Sequence, residues 1–348
     1  MFGQRKNFRR AAAIAAVGAA VFGCKERHGQ NAEPKTDTLP ALSYSAEKPP
    51  EKTLKIPPRK KDAISGSEFM KLVRKTHGAI YEEMIFQEIL SEGNVPDFMR
   101  PENFRELMVK GKADGLEVEM RLRICADYVA IGSNEDYVRV PLSAVGFRTL
   151  ASLLGMSLPT RKLVDDIYRA AEAENGLIGL IDGDVVSRAS TREVIHPETN
   201  RSVRLSEVWR DPAYEGNRSR FLLTPEFALL QSRLADEIKE ERGLGRFALV
   251  CGNKKDIVVD AISLRKEHRN NLVQYRPDHP QGFDYGAHLK DHSDYSLGAR
   301  LIGRMVEVTI RDEEGKSRIP MPYEDVVRHP LLYKLLSDVR FDMSRIYR

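Results

Sequence analysis

Residues 116–124 alternate apolar and charged side chains without a break. Leu116, Val118, Met120, Leu122 and Ile124 fall on one side, and Glu117, Glu119, Arg121 and Arg123 on the other. A helix cannot segregate such a pattern, because its period is 3.6 residues. A strand can, because successive side chains point to opposite faces. The segment therefore demands a sheet with one face in the core and one in water, which is the usual setting of antiparallel strands.

The neighbouring segments extend this reading. Tyr128–Gly132 and Tyr137–Leu142 read as two further strands around the polar turn 133–136, giving an antiparallel meander. Ser67–Leu90 reads as one helix, with Phe69, Leu72, Val73, Thr76, Ile80 and Met84 on its apolar face. A second helix is expected over Ser143–Leu154 and a third after Pro159, with Thr160 near its cap. Thr224-Pro225-Glu226 starts a long helix that runs to about Gly243, with proline at the first helical position. Phe247–Cys251 and Ile257–Ile262 read as a hairpin, and Leu272–Tyr275 and Met305–Ile310 as strands. Tyr323–Asp338 reads as a helix interrupted at Pro330.

Strands and helices thus arrive in runs. The expected fold class is α+β, with an antiparallel or mixed sheet, several packed helices and a disordered tether in front. No glycine-rich phosphate loop follows a strand, so no nucleotide cofactor is expected. The net charge of +4 over 348 residues lacks the clustered basic face of a nucleic-acid binder.

The first residues carry an address. Arg5, Lys6, Arg9 and Arg10 precede an uncharged Ala/Gly-rich run from Ala11 to Gly23, followed by Cys24. A basic region, a short apolar region and a small residue before a cleavage point make a bacterial export signal. The run is too short and too weakly apolar for a stable membrane span. Gln4–Arg10 departs from a twin-arginine motif at Lys6, so the general secretory route and the twin-arginine route both stay open.

Val21-Phe22-Gly23-Cys24 resembles a lipobox, where bacterial lipoproteins are acylated on cysteine. The resemblance implies lipid on Cys24, residues 1–23 removed, and a membrane-anchored protein facing the periplasm, on the outer membrane in a diderm cell. Residues 24–65 hold Pro34, Pro40, Pro49, Pro50, Pro57 and Pro58 among polar residues and read as a tether. Coil of that length reaches on the order of 35–40 Å. Residues 66–348 form the expected body, one domain or two subdomains split near 175–225. Cys125 and Cys251 are two buried thiols or, in an oxidising compartment, a disulfide pair.

Polar chemistry concentrates in 279–300. Three of the eight histidines, His279, His288 and His292, fall there beside Asp291, Asp294, Ser296 and Arg300. Histidine exchanges protons near neutral pH, a carboxylate can orient it, and a serine hydroxyl can act as nucleophile. His279, His288, Asp294 and Ser296 are therefore the candidate catalytic residues. Lys254, Lys255 and Arg300 are the candidate substrate-binding cations. Two other readings stay open: a metal site on His288 and His292 with His279 or Asp294, and a loop whose polar groups bond their own backbone.

Gly93-Asn94-Val95-Pro96-Asp97-Phe98, Ala130–Ser133 with Asp136, Leu158–Lys162 with Val164 and Asp165, Lys254-Lys255-Asp256 and Asp294–Leu301 resemble blocks of an uncharacterised family of exported bacterial proteins. The resemblance implies a shared fold and export. His279, His288, Asp294, Ser296 and Arg300 match its polar positions. That family reads Ser-His-Gly where this chain has Ser296-Leu297-Gly298, so a catalytic role for that histidine would leave this member impaired. Ser296-x-Gly298-x-Arg300 is also similar to the L,D-transpeptidase frame. Leu297 and Ala299 stand at its histidine and cysteine positions, and without a thiolate there that chemistry is excluded. The functional expectation is an envelope lipoprotein that binds, and in one version hydrolyses, a component such as peptidoglycan. The alternative is a non-catalytic scaffold in envelope assembly.

Overall fold

The alternating segment forms the strand it demands, at the centre of a sheet. In the computed structural model, residues 54–74, 76, 78–175, 188, 191–195, 201–208, 225–251, 254–262, 272–275, 293, 297–312 and 315–338 are described. They open with α1 (Gly66–Leu72) and α2 (Gly78–Leu90). β1 (Arg105–Ala113) and β2 (Leu116–Ile124) then pair antiparallel along their full length, from Arg105↔Ile124 to Ala113↔Leu116. The turn between them is Asp114-Gly115, with φ of 51° and 82°. Two positive φ values match a tight hairpin turn to the twist of its strands. Among the described residues, β3 (Ala130–Gly132) and β4 (Tyr137–Arg139) pair with each other and with no other strand.

α3 (Ala144–Leu153), α4 (Arg161–Asn175), β5 (Glu193–Ile195), β6 (Ser202–Arg204), α5 (Leu205–Val208) and α6 (Pro225–Glu241) follow. β7 (Lys255–Ile262), β8 (Leu272–Tyr275) and β9 (Leu297–Gly298) form a second sheet in the order β8-β7-β9. β10 (Met305–Asp312) and β11 (Gly315–Pro322) return to the first sheet, whose order is β1-β2-β10-β11. α7 (Tyr323–Arg328) and α8 (Tyr333–Leu336) close the described chain on either side of Pro330. The architecture is α+β.

β2 is central because β1 and β10 flank it. Its apolar face is buried, with Met120, Leu122 and Ile124 wholly removed from water. Burying each such side chain stabilises the fold by about 1.5–3 kcal/mol. α8 covers this face closely, since a Cβ on Gly111 would lie 2.8 Å from Leu335 Cδ2. The polar face carries Arg121 between Glu119 at 3.3 Å, Glu106 at 3.9 Å and Glu307 at 3.9 Å.

Three expectations need correction. The meander around β2 is replaced by a hairpin with β1, and β3–β4 form a separate ribbon. The single helix over 67–90 is two helices, capped at Ser65 rather than Ser67. Ser65 Oγ accepts from the Glu68 N–H at 3.2 Å, and Glu68 accepts from the Ser65 N–H at 2.8 Å, a capping box. Gly78 sits at φ 58°, where an α-helix cannot continue, so α2 begins afresh there. Finally, 247–251 is not a strand. The Val250 N–H bonds Ala126 O at 3.0 Å, and β8 and β9 occupy the two edges of β7.

The proline-rich tether meets the body earlier than composition suggests. Among the residues assigned to it, 54–65 lie against the domain, while 24–53 lie outside the described residues. The Leu54 N–H bonds Leu153 O at 2.9 Å, and Arg100 Nη1 donates to Pro57 O at 3.1 Å. Arg59 Nε donates to Asn94 Oδ1 at 3.0 Å, and Asn94 Nδ2 donates to Ile64 O at 2.9 Å. Gly93, at φ 61°, has no room for a side chain, since a Cβ would lie 2.7 Å from Pro58 O. Most of these contacts come from the Gly93–Arg100 block, which supplies the polar partners that Pro57-Pro58 cannot make for itself.

Candidate functional site

Two polar blocks distant in sequence meet where β7 and β9 pair in parallel, with Lys255 opposite Leu297 and Asp256 opposite Gly298. The approach is close because Gly298 has no side chain. A Cβ there would lie 2.6 Å from Tyr128 Cδ1 and 2.8 Å from Lys254 Cδ. Lys254 with the start of β7 and the Leu297–Arg300 stretch are thereby held against Tyr128.

Among the described residues, the charged groups of this seam other than Lys255 are buried. Arg300 is fully enclosed. Its Nη1 donates to Cys125 O at 2.7 Å, its Nη2 donates to Val250 O, and its plane lies 5.0 Å from the Tyr128 ring centroid. Lys254 is 2 % exposed, and its Nζ donates to Gln231 Oε1 at 3.0 Å. Tyr128 donates its hydroxyl proton to Asp256 Oδ2 at 3.1 Å, with Lys254 O at 3.3 Å. Among the described residues, Asp256 Oδ1 and Arg300 Nε have no hydrogen-bond partner.

Burial pushes the Asp256 carboxyl up to about 6, against the opposing pull of Arg300 and the Tyr128 hydroxyl. It is a group able to exchange a proton near neutral pH, inside the protein. Burial and then Asp256 push the Tyr128 hydroxyl well up, so it remains a donor. Burial likewise lifts the Cys125 thiol to about 12, which keeps it protonated and unreactive. Cys125 and Cys251 are both buried and are not bridged by a disulfide.

Of the sequence-derived site residues, the structure brings Lys254 and Arg300 together and leaves Lys255 half-buried beside them. The charged ends of Lys254 and Arg300 are occupied by protein groups. In this arrangement they fasten the seam rather than face a ligand, because a buried cation released from its partners carries a large desolvation cost. His279, His288, Asp294 and Ser296 lie outside the described residues, as do Asp291, His292 and Cys24. Among the described residues no group of three His, Cys, Asp or Glu side chains could hold a metal ion.

A second buried network gave no signal in the sequence. Arg139 on β4 is fully enclosed and makes a two-pronged bond to Asp127, Nε to Oδ1 at 2.9 Å and Nη2 to Oδ2 at 2.7 Å. Its Nη2 also reaches Asp236 Oδ1 at 2.7 Å, and its Nη1 donates to Ser232 O at 3.0 Å. Tyr137 donates to Asp236 at 2.6 Å, and Lys239 Nζ stands 3.5 Å from Asp127. Burial alone would raise the Asp127 carboxyl. Arg139 and Lys239 together overcome it and hold that carboxyl well below the usual range. Two cations and two carboxylates thus pin α6 to β4 and to the segment leading into Tyr128. Only Asp236 among the carboxylates reaches solvent, so the network positions elements and does not present a reactive group.

The polar face of the first sheet carries two surface grooves of about 480 and 370 Å³. Glu106, Arg121, Arg123, Glu307 and Arg318 line the larger, where cations and carboxylates alternate and largely neutralise one another.

Compared with protein-family models, curated proteins and solved structures, the chain matches none.

Proposed function

We propose that this chain is an exported cell-envelope lipoprotein, anchored through lipid on Cys24, whose body binds an envelope component such as peptidoglycan. The order of parts carries the reading: a basic and apolar leader, a cysteine at its end, a proline-rich stretch, then an arm fastened to a folded body. Residues 54–65 are fixed to the body, and the proline-rich composition between Cys24 and this arm is that of a tether. A tether of that length would reach on the order of 30 Å, enough to hold the body clear of a membrane surface. The block resemblance to exported proteins points the same way.

The burial of Lys254 and Arg300 bears on the choice between binding and hydrolysis. Both cations are engaged inside the fold, which favours binding without chemistry by that pair. It also keeps the second reading, a non-catalytic scaffold, as the direct competitor. The test is to incubate the purified full chain with isolated sacculi, sediment them, and analyse the supernatant by mass. Co-sedimentation without released fragments is the expected result. Released fragments that disappear in His288→Ala and Asp294→Ala would move the assignment to hydrolysis. Absence of both sedimentation and release would refute the binding reading and leave the scaffold.

A further inference from the structure

The β7–β9 seam combines three features seldom found together. Among the described residues it pairs Lys255 with Leu297 and Asp256 with Gly298. It places a carboxylic acid, 3 % exposed, inside the contact itself. And among the described residues that acid is poorly supplied with donors: Tyr128 reaches Oδ2 at 3.1 Å, and Oδ1 has no partner there.

Among the described residues, the groups near Asp256 come from several elements. From the segment before β3 there is Tyr128, an obligate donor. Asp127 beside Tyr128 has both oxygens on Arg139. From the stretch after β9 there is Arg300, which acts through space but gives Nη1 and Nη2 to the Cys125 and Val250 carbonyls. On β8 the backbone register partner of Asp256 is Tyr275. From its own strand there is Lys254, whose Nζ is turned to Gln231. A protonated acid suits this site, since it is neutral and needs few donors. An ionised one does not, because a buried carboxylate requires a close counter-charge or several hydrogen bonds. Ionisation can be accommodated in one cheap way: the seam parts and lets water reach Oδ1.

We propose that the β7–β9 seam is a pH-operated latch, closed while Asp256 is protonated and loosened when it ionises. The device is independent of what the protein binds. Its action is local: it governs how firmly Leu297–Arg300 is held against β7 and Tyr128. The midpoint falls near the value of about 6 that burial gives this carboxyl.

The experiment is hydrogen exchange of the full chain from pH 5 to pH 7.5, corrected for intrinsic exchange rates, with peptides covering 254–258 and 297–301. Protection in both segments is expected to fall by about 10-fold across that range, most of it below pH 6, while β1–β2 peptides stay constant. Asp256→Asn is expected to abolish the dependence. Tyr128→Phe, which removes that donor and so favours the protonated acid, is expected to move the midpoint to higher pH. This variant keeps the test decisive if Asp256→Asn does not fold. A flat wild-type profile, the same profile in Asp256→Asn, or an unmoved midpoint in Tyr128→Phe overturns the latch.

Discussion

Replacing Arg139 with methionine tests the buried network at its centre. Arg139 is fully buried and gives two hydrogen bonds to Asp127, one to Asp236 and one to Ser232 O. Methionine fills much of the volume but supplies none of these. Asp127, also fully buried, then keeps only Lys239 at 3.5 Å and the N–H of Tyr128 at 2.8 Å. Removing one partner of a buried pair typically costs about 3–5 kcal/mol, a large fraction of the roughly 5–15 kcal/mol stability of an ordinary domain.

The loss has a pH signature. In the wild type the folded Asp127 carboxyl lies below its ordinary 3.8, so its pairing stabilises the protein above that value and fades as pH falls through the lower, folded value. In Arg139→Met the carboxyl loses its main cause of depression, so the penalty should be largest at neutral pH and shrink toward pH 4. Urea unfolding followed by circular dichroism at pH 4, 5.5 and 7 measures this. Adding Asp127→Leu to Arg139→Met should recover more than half of the single-variant loss, because the uncompensated charge goes with it. A loss under about 1 kcal/mol at pH 7, or strictly additive single effects, would refute the account.

Three further outcomes follow from the geometry. Gly298→Ala forces a methyl group to 2.6 Å from Tyr128 Cδ1, and overpacking should cost about 1–3 kcal/mol; a melting temperature equal to wild type would contradict the close approach. Asp256→Asn should flatten one arm of the stability–pH curve. The folded carboxyl is raised from 3.8 to about 6, so its contribution is complete below 3.8 and lost as pH rises through 6, a change of about 3 kcal/mol at roughly 1.36 per pH unit; parallel wild-type and variant curves would exclude it. Asn94→Ala removes bonds to Ile64 O and Glu88 and an acceptor for Arg59, so brief trypsin treatment should cut after Arg59, Lys60 or Lys61 in the variant and spare these sites in the wild type; equal cutting in both would mean the arm is not held by this residue.

The legible parts of the fold were those with a local signature. β2 was readable end to end because its alternation is unbroken, and α3 because Ser143 caps it, accepting from the Gly146 N–H at 3.0 Å. β1 was not, since Lys110-Gly111-Lys112 interrupts its apolar face with a glycine that exists to admit Leu335. The break between α1 and α2 hid in an apolar periodicity that continues across it. What pairs with what was least legible. β7 takes partners at 272–275 and 297–298 rather than its sequence neighbour at 247–251.

The candidate site shows the same limit. Composition marked Lys254, Asp256 and Arg300 as polar, and the structure does bring them together. Nothing in a sequence says that a lysine will be spent on a buried glutamine, or an arginine on two backbone carbonyls. Arg139, Asp127 and Asp236 carried no local mark at all, because their relation is made by the packing of α6 on β4.

The central claim is an envelope lipoprotein held by Cys24, and metabolic labelling with a radioactive fatty acid tests it most directly. Wild-type chain expressed in bacteria should carry the label and fractionate with membranes, and Cys24→Ser should carry none. An unlabelled wild-type chain, or label that persists in Cys24→Ser, would contradict the claim.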